Sequence, residues 1–397
     1  MGRQQVMSRC ALLGVLAAAV LAGCGNSESA SSSSDSSSSA SDGGTITAKL
    51  GMIDSLTGLT AGAGTANACG AQVAVKAVNA GKTQGTDGVK LDLSLVDDQS
   101  TPAVAAQDAT KLTSQGIKLF VGGSNSATVL AAMPIINDAG GMHTGGTSKS
   151  PDFLTAGKYV VRINSDSAQD SRAVADFVDG RSPKSVTFVA ARGAFGEGAV
   201  TAVKADIDPS IKAKTVYVGE TATNFDAVIT DLVKSKPDVV VFIFGNSGQQ
   251  VAWMRDWQQS GLKSTLVAYP GNLGGSTAEA AGGAADGVIT LDIYAPFFEN
   301  EANTTLLDAF KAYGGSIGEC KGKTVDRQFG LTYAQVLLMA QAISKAKSTD
   351  PAKLRETMLA NTWSLPQGDV KFQPNGQVDG QYTTFVGKGT DLVKYTG

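Results

Sequence analysis

The sequence predicts an α/β fold of two lobes, each a doubly wound parallel sheet, and three observations carry that prediction. Strand-like and helix-like segments alternate from Thr45 onward. The alternation restarts after "KYVVRINSDSAQD", which implies a second sheet. The residues beyond Gly44 also outnumber the ~250–300 that one hydrophobic core usually serves.

The first block opens with "TITAKLGMI", whose polarity alternates with a strand's period of two. "AGTANACGAQVAVKAVNAG" then repeats small and apolar residues at helical spacing and stops at Gly81. "VKLDLSLVDD" alternates again, and "TPAVAAQDATKLTSQG" starts on a threonine cap followed by proline. "IKLFVGG" reads as a short buried strand, "SATVLAAMPIINDAG" as a helix and "GMHTGG" as a strand end. In the second block "KSVTFVAAR" leads into the helix "GEGAVTAVKADI", "KAKTVYVGE" into "NFDAVITDLVKSK", and "PDVVVFIFG" into "SGQQVAWMRDWQQSG". Two later helices, "NTTLLDAFKAYG" and "FGLTYAQVLLMAQAISKAK", break the rhythm. "VKFQPNGQVDGQYTTFV" predicts a pair of strands about an Asn-Gly turn. In open α/β sheets a ligand belongs in the crevice beyond the carboxyl ends of the strands.

Ahead of these blocks, Arg3 and Arg9 precede an apolar run of 13 residues, Ala11 to Gly23. That run is too short for a permanent membrane span and suits a secretory signal over residues 1–23. Leu21-Ala22-Gly23-Cys24 resembles the bacterial lipobox, which implies acylation of Cys24 and retention of the mature chain by membrane lipid. Several acyl chains on one cysteine would make a lasting anchor. Residues 24–44 are mostly serine and have no apolar face, so they predict a disordered tether spanning on the order of 20–25 Å.

Without residues 1–23 the chain carries 31 basic and 36 acidic residues, a net charge of −5. That balance, with no basic stripe, argues against nucleic acid as a partner. Cys10 leaves with the signal, so Cys69 and Cys320 remain for an oxidising exterior. One disulfide and two separate buried thiols both fit them.

The segments "IDSLTGLTAGAGTANACGAQVAVKAVNA", "LVDDQSTPAVAAQDATKL", "VGGSNSATVLAAMPI", "SPDFLTAGKYVVRINSDSAQD", "FGEGAV" and "NFDAVITDLVKSKPDVVVFIFG" carry a resemblance by their order and spacing. Over Ile46 to Val393 the chain resembles the branched-chain amino acid (Leu/Ile/Val) binding family of solute-binding proteins that serve ABC importers. The resemblance implies the periplasmic binding protein type 1 fold, two lobes joined by a three-strand hinge. It puts the crossings near Ile163–Asp166, Leu291–Ala295 and Pro366–Lys371 and returns the helix containing Tyr333 to the first lobe. The lobes are then 45–164 plus 293–367 and 165–292 plus 368–397.

The strongest polar anchor is "VGGSNSATV", where a strand ends, two glycines admit close approach and hydroxyls stand at a helix start. Ser126 aligns with the family's serine for the solute's α-carboxylate; as residues alone it equally suits a helix cap. In "HTGGTSKSPDF" the resemblance puts Thr147 on a carbonyl-contributing position and Lys149 where the family has Ser or Thr. Thr147 or Ser148 then takes over the hydroxyl, or Lys149 adds charge to the pocket, or it is a solvated loop lysine. From the second lobe, Phe195 matches an aromatic lid, and the loops "FGNSGQQ" and "YPGNLGG" offer Asn246, Ser247, Tyr269 and Asn272. The acid that commonly pairs with a ligand ammonium in the last loop is absent, and an amide accepts without charge assistance. Amino acids, amides, urea-like solutes and short or aromatic acids all remain open.

An enzyme is argued against by the inventory. His143 is the single histidine, so paired-histidine metal sites are impossible, and no cofactor or metal is expected. Asp97 and Asp98 alternate across a strand rather than face each other. "GECKGKT" is one residue short of a phosphate loop, and "GAGTANACG" lacks the dinucleotide spacing. The expected protein is a monomeric, lipid-anchored, extracytoplasmic trap for a small solute, docking on an ABC permease. A sensor of the same fold reporting to a signalling partner is the alternative. Changing Cys24 to alanine should release the mature chain from membranes; a variant that still sediments with them contradicts the lipobox reading.

Overall fold

The computed structural model describes residues 44–397. The signal, Cys24 and nearly all of the serine tether lie outside the described residues. The first block consists of β1 (Ile46–Asp54), α1 (Ala61–Asn79), β2 (Val89–Asp97), α2 (Pro102–Ser114), β3 (Leu119–Val121), α3 (Ser126–Asp138), β4 (Met142–His143) and β5 (Tyr159–Val160). Its five strands form a parallel sheet in the order β2-β1-β3-β4-β5. The order reverses at β1, so the crevice between the ends of β1 and β3 is this sheet's switch point.

The second block is α4 (Ser167–Asp179), β6 (Ser185–Ala191), α5 (Ala194–Asp206), β7 (Lys212–Val218), α6 (Asp226–Ser235), β8 (Val239–Ile243), α7 (Ser247–Ser260), β9 (Thr265–Ala268), α8 (Gly275–Ala281) and β10 (Ile289–Asp292). Its parallel strands run β10-β9-β8-β6-β7, the same winding order as the first sheet. The chain then gives α9 (Glu301–Tyr313), α10 (Arg327–Ala346), α11 (Pro351–Ala360) and the hairpin of β11 (Thr362–Leu365) and β12 (Gly368–Lys371). β13 (Thr383–Lys388) and β14 (Asp391–Lys394) finally extend the second sheet in antiparallel fashion.

Each sheet has apolar cores on both faces, as helices on both sides demand. One face of the first sheet packs on α1 and α10, and the other carries Ala105, Leu112, Ala132 and Ile136 from α2 and α3. α1 presents Ala68, Ala71, Ala74 and Ala77, and these small side chains admit α10, which is buried on nearly every side. Tyr333 of α10 therefore belongs to the first lobe's core. Cys69 in α1 is bonded to Cys320 in the turn before α10, their Cα atoms 4.9 Å apart across a separation of 251 residues. A closure that long removes much freedom from the unfolded chain.

The chain passes between the sheets three times. Ile163 packs in the first core and Val174 in the second, which puts one crossing between them. Leu291 belongs to the second core and Ile293 to the first, so a second crossing lies at Asp292. The third falls later than Pro366–Lys371. Val370, Phe372 and Val378 still pack in the first core, and pairing with the second sheet begins at Thr383. The first lobe accordingly runs to Val378, past the expected boundary at 367.

The strand pair expected about Asn375-Gly376 also differs. The turn forms, with the Gln373 amide donating to the Gln377 carbonyl at 2.8 Å, but only Phe372 and Val378 pair across it. The reason is competition for hydrogen bonds. The Val378 amide donates to the Arg162 carbonyl at 3.0 Å, so this segment is drawn alongside the first crossing.

His143 ends β4 and fixes the loop that follows it. Its Nδ1 accepts the Gly145 amide at 2.9 Å, an arrangement open only to the neutral ring. Burial lowers its pKa to about 4. A histidine depressed in the folded state contributes stability above its unfolded pKa of about 6.5 and loses it as pH falls toward 4. That change amounts to about 3 kcal/mol. Urea melts between pH 7 and 4.5 should therefore show a smaller acid loss for His143→Gln than for the wild type; parallel curves contradict this.

Candidate functional site

The first-lobe end of the crevice is organised by one carboxylate. Asp54, fully buried at the end of β1, accepts from the amides of Ser55 at 2.9 Å, Gly123 at 2.8 Å and Ser124 at 3.0 Å. It also accepts from the Ser124 hydroxyl at 2.6 Å and Asn67 Nδ2 at 2.9 Å. Burial pushes its carboxyl above the ordinary range, and these donors pull the other way. The loop after β3 is thereby held against the end of β1. Gly123 takes φ +92°, which a side chain would strain, to aim its amide at Asp54. The neighbouring loop approaches so closely that a Cβ on Gly146 would lie 1.9 Å from the Gly122 carbonyl.

Three of the sequence-predicted residues meet here. Asn125 caps α3 by accepting the Ala127 amide at 2.9 Å, which leaves the Ser126 hydroxyl available. That hydroxyl is half-buried and lies 3.0 Å from the Ser148 hydroxyl. Ser148 is held by its amide, which donates to the Gly123 carbonyl at 3.1 Å. Thr147 is buried against Asn67, whose Nδ2 donates to its hydroxyl at 3.0 Å, so it joins the Asp54 network. Two hydroxyls at a helix start, with oriented amides nearby, can seat a carboxylate.

The second-lobe residues divide. Phe195 is 37% exposed in the first turn of α5 and meets the buried Tyr269 ring edge-on at 5.8 Å. Tyr269 donates its hydroxyl to the Ser167 carbonyl at 3.0 Å. Asn246 caps α7 by accepting from Gln249 at 3.2 Å, and Ser247 is exposed beside it. Asn272 is buried with its carbonyl taken by the Phe244 amide at 2.6 Å. That bond braces the loops that follow β8 and β9.

Lys149 is not a solvated loop lysine. Its ammonium pairs with Asp170 of α4, donates to the Pro270 carbonyl at 2.7 Å and sits 5.7 Å from the Tyr269 ring centre. Burial pulls its pKa down, and Asp170 opposes the shift. Arg327, at the start of α10, donates from Nε to Asp292 at 2.6 Å and from Nη2 to Asn164 and Ser165. Asp170 accepts from Ser165 at 2.7 Å and from Tyr382 at 2.6 Å. Residues of all three crossings thus meet two ion pairs that run from lobe to lobe. Sequence reading missed Asp54, Asp170, Asp292 and Arg327. An acid ending a strand just before the Gly-rich stretch was a usable signal for Asp54; nothing local marks the others.

The sequence does spell G-x-S-x-G at Gly314–Gly318, but Ser316 follows a helix, and its hydroxyl donates to the Tyr313 carbonyl at 2.8 Å. A nucleophile elbow needs a strand-to-helix turn. A cavity of about 380 Å³ lies against Trp257 and the starting ends of β9 and β10, at the opposite edge from the crevice. Among the described residues no helix is long and apolar enough to cross a membrane.

Comparison with known proteins agrees with this fold. Residues 47–390 match the periplasmic binding protein family model. The Leucine-, isoleucine-, valine-, threonine-, and alanine-binding protein of Pseudomonas aeruginosa is 28% identical over 338 residues, 84% of this chain and 87% of that protein. Among solved structures, the LivJ substrate-binding protein of Streptococcus pneumoniae in complex with isoleucine superposes with a TM-score of 0.75 at 19% identity, covering 88% of this chain and all of that one. An R. palustris ABC-transporter solute-binding protein in complex with benzoate gives 0.74 at 22% identity, covering 88% and 95%. Members of this group bind transport substrates and are not enzymes. The chain belongs to the periplasmic binding protein family.

Proposed function

We propose that the chain captures a small carboxylate-bearing solute between its lobes, outside the cytoplasmic membrane, and delivers it to an ABC importer. The observation that carries this reading is the pairing of the Ser126 and Ser148 hydroxyls at the start of α3, at the switch point of the first sheet. Isoleucine and benzoate, bound by two proteins of the same fold, share a carboxylate and little else. The first lobe docks the solute, and Phe195 and Tyr269 cover it as the lobes hinge together. Closure is favoured because the solute touches both lobes only in the closed state. Acylated Cys24 moors the trap to lipid beside its permease, and the importer's ATPase, a separate chain, supplies energy. The sensor alternative draws no support from the relatives, which are transport proteins.

A thermal-shift screen against amino acids, amides, urea and small carboxylates identifies the solute class. Ser126→Ala should then weaken binding by roughly 1–3 kcal/mol through loss of a charge-assisted hydrogen bond. Unchanged affinity by calorimetry removes Ser126 from the site.

A further inference from the structure

Resting on the solute-capture reading, we infer that Asp292 receives an N–H group of the solute from the second lobe. The cleft then takes a small carboxylate that also carries a hydrogen-bond donor, an ammonium or an amide. Asp292 ends β10 and is 5% exposed. Its Oδ1 accepts from Arg327 Nε at 2.6 Å and from the Ile293 amide at 2.8 Å. Among the described residues nothing donates to its Oδ2, and that oxygen is not sealed from solvent. An ionised carboxylate accepts through both oxygens, and leaving a largely buried one half-filled is costly. Burial raises the Asp292 pKa even though Arg327 and Lys149 oppose the shift. One more donor, on Oδ2, would stabilise the charged form.

The open oxygen sets Asp292 apart from its neighbours. Asp170 is engaged on both oxygens, by Lys149 on one and by Ser165 and Tyr382 on the other. Asp54 and Asp326 are likewise filled on both. Asp98 keeps its Oδ2 unpartnered, but that atom is sealed. The position also suits a solute moored on the first lobe. Asn164 Nδ2 donates to the Ser148 carbonyl at 3.3 Å, its Oδ1 accepts from Arg327, and Arg327 holds Asp292. Three hydrogen bonds thus link Asp292 to a residue that supplies one hydroxyl of the anchor. A solute with its carboxylate on Ser126 and Ser148 and its N–H on Asp292 spans both lobes, a contact complete only when they close. Glu220, exposed just after the edge strand β7, is the acid that competes for the role.

Calorimetry on the mature chain with matched pairs decides the matter. Leucine is set against 4-methylpentanoate, 4-aminobutanoate against pentanoate, and succinamate against 4-oxopentanoate. Any further carboxylate retrieved by the thermal-shift screen is set against its own analogue lacking the N–H group. The N–H member of a binding pair should bind about ten-fold or more tightly than its partner, and the pair that shows this tells ammonium from amide. Asp292→Asn should abolish that preference and leave the partner's affinity within about three-fold, while Glu220→Gln should preserve it. If the single variant does not fold, Asp292→Asn combined with Arg327→Gln removes both charges together and is read in the same way. A retrieved solute with no N–H group, or pairs that bind the wild type equally, overturns the inference. A preference that survives the change at Asp292, or vanishes in Glu220→Gln, overturns the role of Asp292. No binding of any solute in the wider screen overturns solute capture itself, and this inference with it.

Discussion

Two ion pairs at the junction of the lobes, Lys149 with Asp170 and Arg327 with Asp292, constrain everything around them. Charges taken out of water are tolerable only when each finds a partner and its remaining hydrogen-bonding capacity is filled; removing one partner alone typically costs about 3–5 kcal/mol. Here the filling groups come from the crossings, Asn164 and Ser165 from the first, the Ile293 amide from the second and Tyr382 from the third. The chain segments that join the lobes are therefore tied to the charges that pair across them.

The same logic operates on a smaller scale within the first lobe. Asp54 replaces lost hydration with five donors and, in doing so, fixes the loop that presents Ser126. Thr147 is linked to it through Asn67, so both walls of the anchor are positioned from one buried carboxylate. The hydroxyl pair is thus presented on a prearranged backbone.

Much of the fold was legible because strand and helix periods differ and because glycines and prolines punctuate them. "VKLDLSLVDD" and "PDVVVFIFG" each carry their state locally, and β2 and β8 form there. The third crossing was not legible, since its position depends on Arg162 claiming Val378, a contact between residues 216 apart in sequence. Ser126 and Ser148 were legible as polar groups at strand ends. That Asn125 caps α3, and that Asn272 braces a loop, depends on which of several neighbouring side chains reaches an amide first. Lys149 stood out as a departure from the family pattern, but its partner Asp170 sits in a helix of another lobe, which no local pattern discloses.

The central claim is that solute capture and rotation of the lobes about this charged junction are one event. Small-angle X-ray scattering on the mature chain, alone and with a solute whose binding calorimetry has established, tests it directly. A smaller radius of gyration in the saturated protein is the predicted result. Superimposable profiles at full saturation would contradict it, because the solute would then be held without any movement of the lobes.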